Sequence, residues 1–140
     1  MQRFEGQVQL VLYPFALNPT SEVATQAAWC AGEQGKFWEF HHMLYRRQEL
    51  WYRLAAPLER LIDFAKDVNL DTATLRSCVE SGRMQDRMQA DKAYGQQLQV
   101  SSTPTMFING YRIVGMPPEG EGALVRLIRQ ELNHVRPQGQ

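Results

Sequence analysis

From Asn18 to Gln97 the sequence repeats its apolar residues at spacings of three and four. This helical block stands between one short apolar run near the start and one hairpin signal near the end. A strand, a long helical stretch, a hairpin and a closing helix in that order read as an α/β chain that is mostly helical. The opening run is Gln7 to Phe15. Val8, Leu10, Val11, Leu12 and Tyr13 are apolar, and Pro14 stops the run, so the sequence predicts a buried strand over about residues 7–12.

The helical block is punctuated by caps. Asn18-Pro19-Thr20-Ser21 offers side chains to free backbone N–H groups, and Glu22 sits in the first turn. Ala24, Ala27, Ala28 and Ala31 follow as a small-residue face that allows close helix packing, with Gly32 as the stop. Gly35 to Gln48 predicts a second helix with Phe37, Phe40, His41, Leu44 and Tyr45 on its core side. Leu50 to Ala56 reads as a loop anchored by aromatics. Pro57 opens a third helix carrying Leu58, Leu61, Ile62 and Ala65, which ends near Val68. Asp71 caps a fourth, with Leu75, Cys78 and Val79, stopped at Gly82. Met84, Met88, Asp91 and Tyr94 mark a fifth, ending near Gln97.

At Val100 the period changes. Ser101-Ser102-Thr103-Pro104 is a loop, and Thr105 to Ile108 is strand-like. Asn109-Gly110 is a two-residue hairpin turn, and Tyr111 to Val114 is the return strand. After a Gly/Pro connection, a last helix puts Leu124, Leu127, Ile128 and Leu132 on one side. The tail Arg136 to Gln140 is polar and expected to fray.

Composition narrows the function. The 140 residues are enough for one core, and 44% hydrophobic content is too high for a disordered chain. Lys+Arg and Asp+Glu both number 15, which gives no basic stripe for nucleic acid. No apolar run reaches the roughly 18–20 residues of a membrane span. Two cysteines are too few for a four-cysteine zinc site. Adjacent His41 and His42 point in different directions on a helix, so no metal is expected there. His41 should pack and His42 face solvent. Trp29, Trp38, Trp51, Tyr45 and Tyr52 read as core and rim packing.

The order of elements resembles the thioredoxin-like superfamily, in its DsbA-like branch of disulfide oxidoreductases. Three segments and the final helix carry the likeness. They are Gln9-Leu10-Val11-Leu12-Tyr13-Pro14-Phe15, Cys30-Ala31-Gly32-Glu33-Gln34-Gly35-Lys36-Phe37-Trp38, and Thr103-Pro104-Thr105-Met106-Phe107-Ile108-Asn109-Gly110. The resemblance implies an incomplete thioredoxin-like fold with one domain over residues 1–140. A helical subdomain is inserted at 18–97, and the Thr-Pro loop, hairpin and final helix occupy 100–135. It also implies a cis Thr103-Pro104 bond and a substrate-binding role for Thr103 and Pro104 toward an extended peptide or protein.

The family's Cys-x-x-Cys is absent. Cys30 and Cys78 are too far apart to be that motif, and both fall near predicted helix C-termini, where the helix dipole disfavours a thiolate. They are expected to be either two buried thiols or one disulfide within the helices. No catalytic residue, cofactor or metal is assigned. The strand that bears the family motif is missing as well, which implies an N-terminally truncated domain whose sheet has a gap. A late start of a longer gene product, a second copy filling the gap as a homodimer, and direct pairing of the first strand with the hairpin are the three ways to accommodate it.

The primary functional expectation is the C-terminal portion of a DsbA-like thiol–disulfide oxidoreductase, redox-inactive alone. The alternatives are a redox-dead peptide-binding module and a glutathione-using relative of the kappa-class transferases. The Met1 end carries no export signal. The family is often extracytoplasmic, and a native start at Met1 would place the chain in the cytoplasm.

Overall fold

The computed structural model describes residues 2–135. Six α-helices and two strands are laid out as α1 (Pro19–Glu33), α2 (Phe37–Arg46), α3 (Leu58–Asp67), α4 (Thr72–Glu80), α5 (Gln85–Gln97), β1 (Thr105–Ile108), β2 (Tyr111–Val114) and α6 (Glu121–Val135). Short 3-10 turns occupy Gln2–Phe4 and Gln48–Leu50. The chain is mostly helical with a small sheet, the thioredoxin-like class expected from the sequence. The polar tail Arg136 to Gln140 lies outside the described residues.

Two compact units are present. One is Tyr13–Gly95; the other joins the described residues up to Leu12 with those from Gln96 onward.

The helical unit is built from self-sufficient local signals. Asn18 Oδ1 accepts from the Ser21 backbone N–H at 2.9 Å while Ser21 Oγ serves the Asn18 backbone N–H at 3.1 Å, a reciprocal capping box for α1. At the other end, α1 runs one residue past Gly32. The left-handed position belongs to Gly35, with φ +73. Gly35 N–H donates to Gly32 C=O at 2.9 Å and Lys36 N–H to Ala31 C=O at 2.9 Å, the two bonds of a Schellman ending. Gly32 has a different role: a Cβ there would meet Phe37 Cβ at 3.4 Å, so its lack of side chain lets α2 come close. Asp71 caps α4 by accepting from Ala73 and Thr74 N–H.

The core of this unit is formed by α1–α4. Ala27, Ala31, Phe40, Leu61, Ala65 and Leu75 are fully buried. Trp51, in the loop after α2, is buried too, and its indole Nε1–H donates to the Leu44 carbonyl at 2.9 Å. Cys30 and Cys78 are joined as a disulfide that ties α1 to α4, with 6.0 Å between their Cα atoms. Of the two arrangements left open by the sequence, the bridge is the one present.

In the second unit β1 and β2 pair antiparallel, with Thr105 opposite Val114 and Ile108 opposite Tyr111. Asn109 (φ 47) and Gly110 (φ 92) make the turn between them, as the sequence predicts. Helix α6 packs against β1.

One expectation fails. Residues 7–12 are not a strand; among the described residues the sheet contains β1 and β2 alone. Nor is the segment buried, since Leu10 is 51% and Val11 58% exposed. A β-prone sequence becomes a strand only when a neighbour pairs with its backbone, and this segment has no such neighbour. Direct pairing of this segment with the hairpin is thereby also excluded.

Candidate functional site

The Thr103-Pro104 loop enters β1 directly, and its peptide bond is cis. Both residues are exposed. The loop is held from both sides. Pro104 C=O accepts from Gly115 N–H at 2.7 Å, and Thr105 Oγ1 donates to Ser102 C=O at 2.7 Å. The Arg112 guanidinium donates to Gln99 C=O upstream of the loop.

Register determines which backbone groups are left over. In an antiparallel ladder the hydrogen-bonded pairs alternate, and a two-residue turn makes Ile108–Tyr111 the first of them. Met106–Ile113 and Pro104–Gly115 follow, in accord with the Gly115–Pro104 bond. Thr105 and Phe107 therefore turn their N–H and C=O groups toward the outer edge of β1. Arg112 and Val114 do the same on β2. Two of these four residues present open apolar side chains, Phe107 at 42% and Val114 at 55% exposure. This edge is able to accept an extended chain through main-chain hydrogen bonds.

The cysteines contribute no thiol to this site. Each is 1% exposed, within the helical unit, and consumed by the bridge. Glu33 Oε2 stands 3.7 Å from Cys78 Sγ, but a bridged sulfur has no proton to donate; the Glu33 carboxylate engages Arg83 at 3.2 Å instead.

His41 is half-buried and His42 exposed, as expected. His41 stacks on Phe37, with ring centroids 5.7 Å apart, and meets Tyr45 at 4.8 Å. Burial first, then the neighbouring His42, hold the His41 pKa below the ordinary histidine value. Among the described residues no cluster of three or more His, Cys, Asp or Glu is placed to hold a metal. An open groove of about 710 Å³ beside α3 and α4 is lined by Lys66, Arg76 and Ser77 among others. Its cations are already paired: Arg76 forks onto Glu59 at 2.5 and 2.8 Å, and Lys66 reaches Asp63 at 2.8 Å.

Sequence reasoning missed a second polar cluster, where α1 meets α5. Gln26 Oε1, Trp29 Nε1 and Asp91 Oδ2 are buried without a hydrogen-bond partner, and the Arg87 guanidinium lies 3.6 Å over the Trp29 ring. The signal available was spacing. Gln26 and Trp29 are three apart on α1, and Arg87 and Asp91 four apart on α5, so each pair shares a helix face.

A proline loop entering a hairpin, a closing helix packed on it, and a helical unit before it define a protein of the thioredoxin-like class. The family model described as Thioredoxin matches residues 2–126, and the chain belongs to that family. Among proteins of known name it is similar to the Na(+)/H(+) antiporter NhaA 1 of Salinispora arenicola, 36% identical over 97 residues, which is 69% of this chain and 14% of the antiporter. The Na(+)/H(+) antiporter NhaA 3 of Salinispora tropica is 33% identical over 96 residues, 69% of this chain and 14% of that protein. The Na(+)/H(+) antiporter NhaA of Herminiimonas arsenicoxydans is 27% identical over 112 residues, 80% of this chain and 17% of that protein. The matched region is thus a small part of each of these relatives. No solved structure matches the chain. Among the described residues no helix is long and apolar enough to cross a membrane.

Proposed function

We propose that this chain is the substrate-docking portion of a DsbA-like thiol–disulfide oxidoreductase domain. It holds an extended peptide at Thr103-Pro104 and along β1, and carries out no dithiol exchange by itself. The observation that carries the reading is the fate of the thiols: the sequence has two cysteines, and both are locked in a buried bridge between α1 and α4. Exchange requires an accessible thiolate to attack a disulfide sulfur. A bridge that is 1% exposed at each end offers none. What is available at the surface is the proline loop, the free edge at Thr105 and Phe107, and the apolar side chains beside it.

The antiporter relatives are much longer proteins in which a stretch like this one is a minor part. This favours reading the chain as a module whose docking surface serves a larger assembly. In that assembly any redox chemistry comes from groups other than Cys30 and Cys78.

The test pairs an activity with a binding measurement. In an insulin-reduction assay the chain gives no turnover above background, and protein-dependent turnover overturns the reading. In a fluorescence-anisotropy titration an extended apolar peptide binds saturably. Binding is lost on Pro104→Ala and weakened when alternate peptide nitrogens are methylated, which removes the main-chain donors. A competing occupant of the same edge is a second copy of the chain. Sedimentation equilibrium separates the two: a stable dimer that dissociates on peptide addition still places the peptide at β1, whereas a dimer indifferent to peptide moves the docking surface elsewhere.

A further inference from the structure

Asn109 and Gly110 form the tip of the hairpin, and both are exposed. Two features leave this dipeptide chemically open. Among the described residues nothing accepts a hydrogen bond from the Gly110 N–H, because a two-residue turn pairs Ile108 with Tyr111 on either side of it. The space around Gly110 is open as well: a Cβ there would meet no atom within 4 Å. The Asn109 amide, by contrast, is engaged. Its Nδ2 donates to Glu131 Oε2 at 3.3 Å, which ties the hairpin tip to α6. Glu131 is a sheltered acceptor, with its side chain 15% exposed and His134 Nδ1 3.6 Å from its other oxygen.

We propose that Asn109 is a site of self-modification by water, in which its amide becomes a carboxylate and the hairpin tip is released from α6. The Gly110 backbone nitrogen attacks Asn109 Cγ, so that a Cγ–N bond forms. The Cγ–Nδ2 bond breaks, and Nδ2 leaves as ammonia with the proton that Gly110 gives up. Water then opens the cyclic imide. Addition at Cγ yields aspartate; addition at the main-chain carbonyl carbon yields isoaspartate. One water enters, one ammonia leaves, and no electrons change hands.

The three other asparagines are closed to this reaction. Asn18 precedes Pro19, which has no N–H to lose. Asn69 precedes Leu70, which is buried and whose N–H is spent on the Ala65 carbonyl at 3.0 Å. Asn133 lies within α6, where the next N–H belongs to the helix ladder. At Asn109 the product replaces a donor with an acceptor. Two carboxylates then face each other where a hydrogen bond stood, and they repel. Isoaspartate does more, since it routes the main chain through Cβ. The extra backbone atom takes Ile108 and Tyr111 out of register. None of this needs the docking role of Thr103 and Pro104.

The experiment ages the full chain in mildly alkaline buffer at body temperature for several weeks. Acid digestion and electron-transfer mass spectrometry then locate aspartate and isoaspartate. Conversion should be plain at Asn109 before any is detectable at Asn18, Asn69 or Asn133. An unmodified Asn109, or another asparagine that keeps pace with it, overturns the site. Asn109→Asp installs the charge without altering the main chain. Its hydrogen-exchange protection over 105–114 should fall by about tenfold, the worth of one hydrogen bond to a charged group, while protection over 61–65 in α3 stays level. Adding Glu131→Gln to that variant should restore most of the loss, because an amide can donate to the new carboxylate. Unchanged protection in Asn109→Asp, or no recovery in the double variant, overturns the release from α6.

Discussion

The Cys30–Cys78 bridge closes a loop of 48 residues of sequence separation, which sets what its reduction should cost. On the chain-entropy account, a cross-link of that span removes about 14 cal/mol/K from the unfolded ensemble, or about 4 kcal/mol at 25 °C. That compares with a total of roughly 5–15 kcal/mol for an ordinary domain. The bridge is therefore a major share of stability, and the reduced chain should be close to the margin at body temperature. Reduction with thiols retained is the clean perturbation, since it removes no atoms from the buried sites that Cys30 and Cys78 occupy, each 1% exposed. The assay is urea unfolding followed by far-ultraviolet circular dichroism, on oxidised protein and on protein reduced in denaturant and refolded under a phosphine. Two changes are expected together: a drop of about 4 kcal/mol in the unfolding free energy, and a larger m value, because the freed unfolded chain exposes more surface. A thermal scan should show the same loss as roughly 15 °C in Tm. If oxidised and reduced forms agree within about 1 kcal/mol, the native bridge is offsetting its entropic gain with strain, and the reading of it as the main clamp between α1 and α4 is wrong.

Three further outcomes follow from the same structure. Phe40 is fully buried in the core, so Phe40→Ala should cost about 3–5 kcal/mol in a urea titration; a loss under 1 kcal/mol would mean the α1–α4 core is not packed as described. His41 has its folded pKa below the unfolded value of 6.5, chiefly through burial. The folded state then resists protonation, so stability should fall as pH drops below 6.5 until the folded pKa is passed, and His41→Phe should remove that part of the slope in a pH series of thermal melts. At the hairpin, Gly110 sits at φ +92, which strains any L side chain. Gly110→Ala should lower stability by about 1 kcal/mol, seen as loss of exchange protection over 105–114, while Gly122→Ala on α6, where no backbone strain exists, should not.

What was legible in the sequence divides by how an element satisfies its backbone. The helices were readable because a helix pairs its own N–H and C=O groups, and because its ends are marked by local residues: Asn18 and Asp71 at the starts, and the left-handed Gly82 after α4. The hairpin was readable for the same reason, its partner being two residues away across Asn109-Gly110. Residues 7–12 failed the reading because nothing in Val8–Leu12 says whether a neighbour exists. The bridge between Cys30 and Cys78 was one of two open outcomes, since bridging depends on how α1 and α4 pack rather than on either cysteine's neighbours. The Gln26–Trp29–Asp91 seam was missed because each residue is unremarkable on its own helix; only the meeting of α1 with α5 makes their polar atoms conspicuous.

The distribution of buried apolar surface bears on the proposed docking role. Nearly every buried hydrophobic residue belongs to the helical unit, whereas Phe4 and Ala123 are the ones that fall in the unit carrying Thr103 and Pro104. A two-stranded sheet with little core behind it is marginal in water. Thr105, Phe107, Arg112 and Val114 direct backbone groups outward, and Phe107, Tyr111 and Val114 expose apolar side chains. An extended chain added along β1 would pair the outward backbone groups of Thr105 and Phe107 and cover the Phe107 side chain. Rigid packing behind the hairpin would remove the exposed surface and with it much of the gain from binding. A loosely supported sheet is therefore consistent with a docking element that gains order from its ligand, with the cost of that ordering set against the affinity.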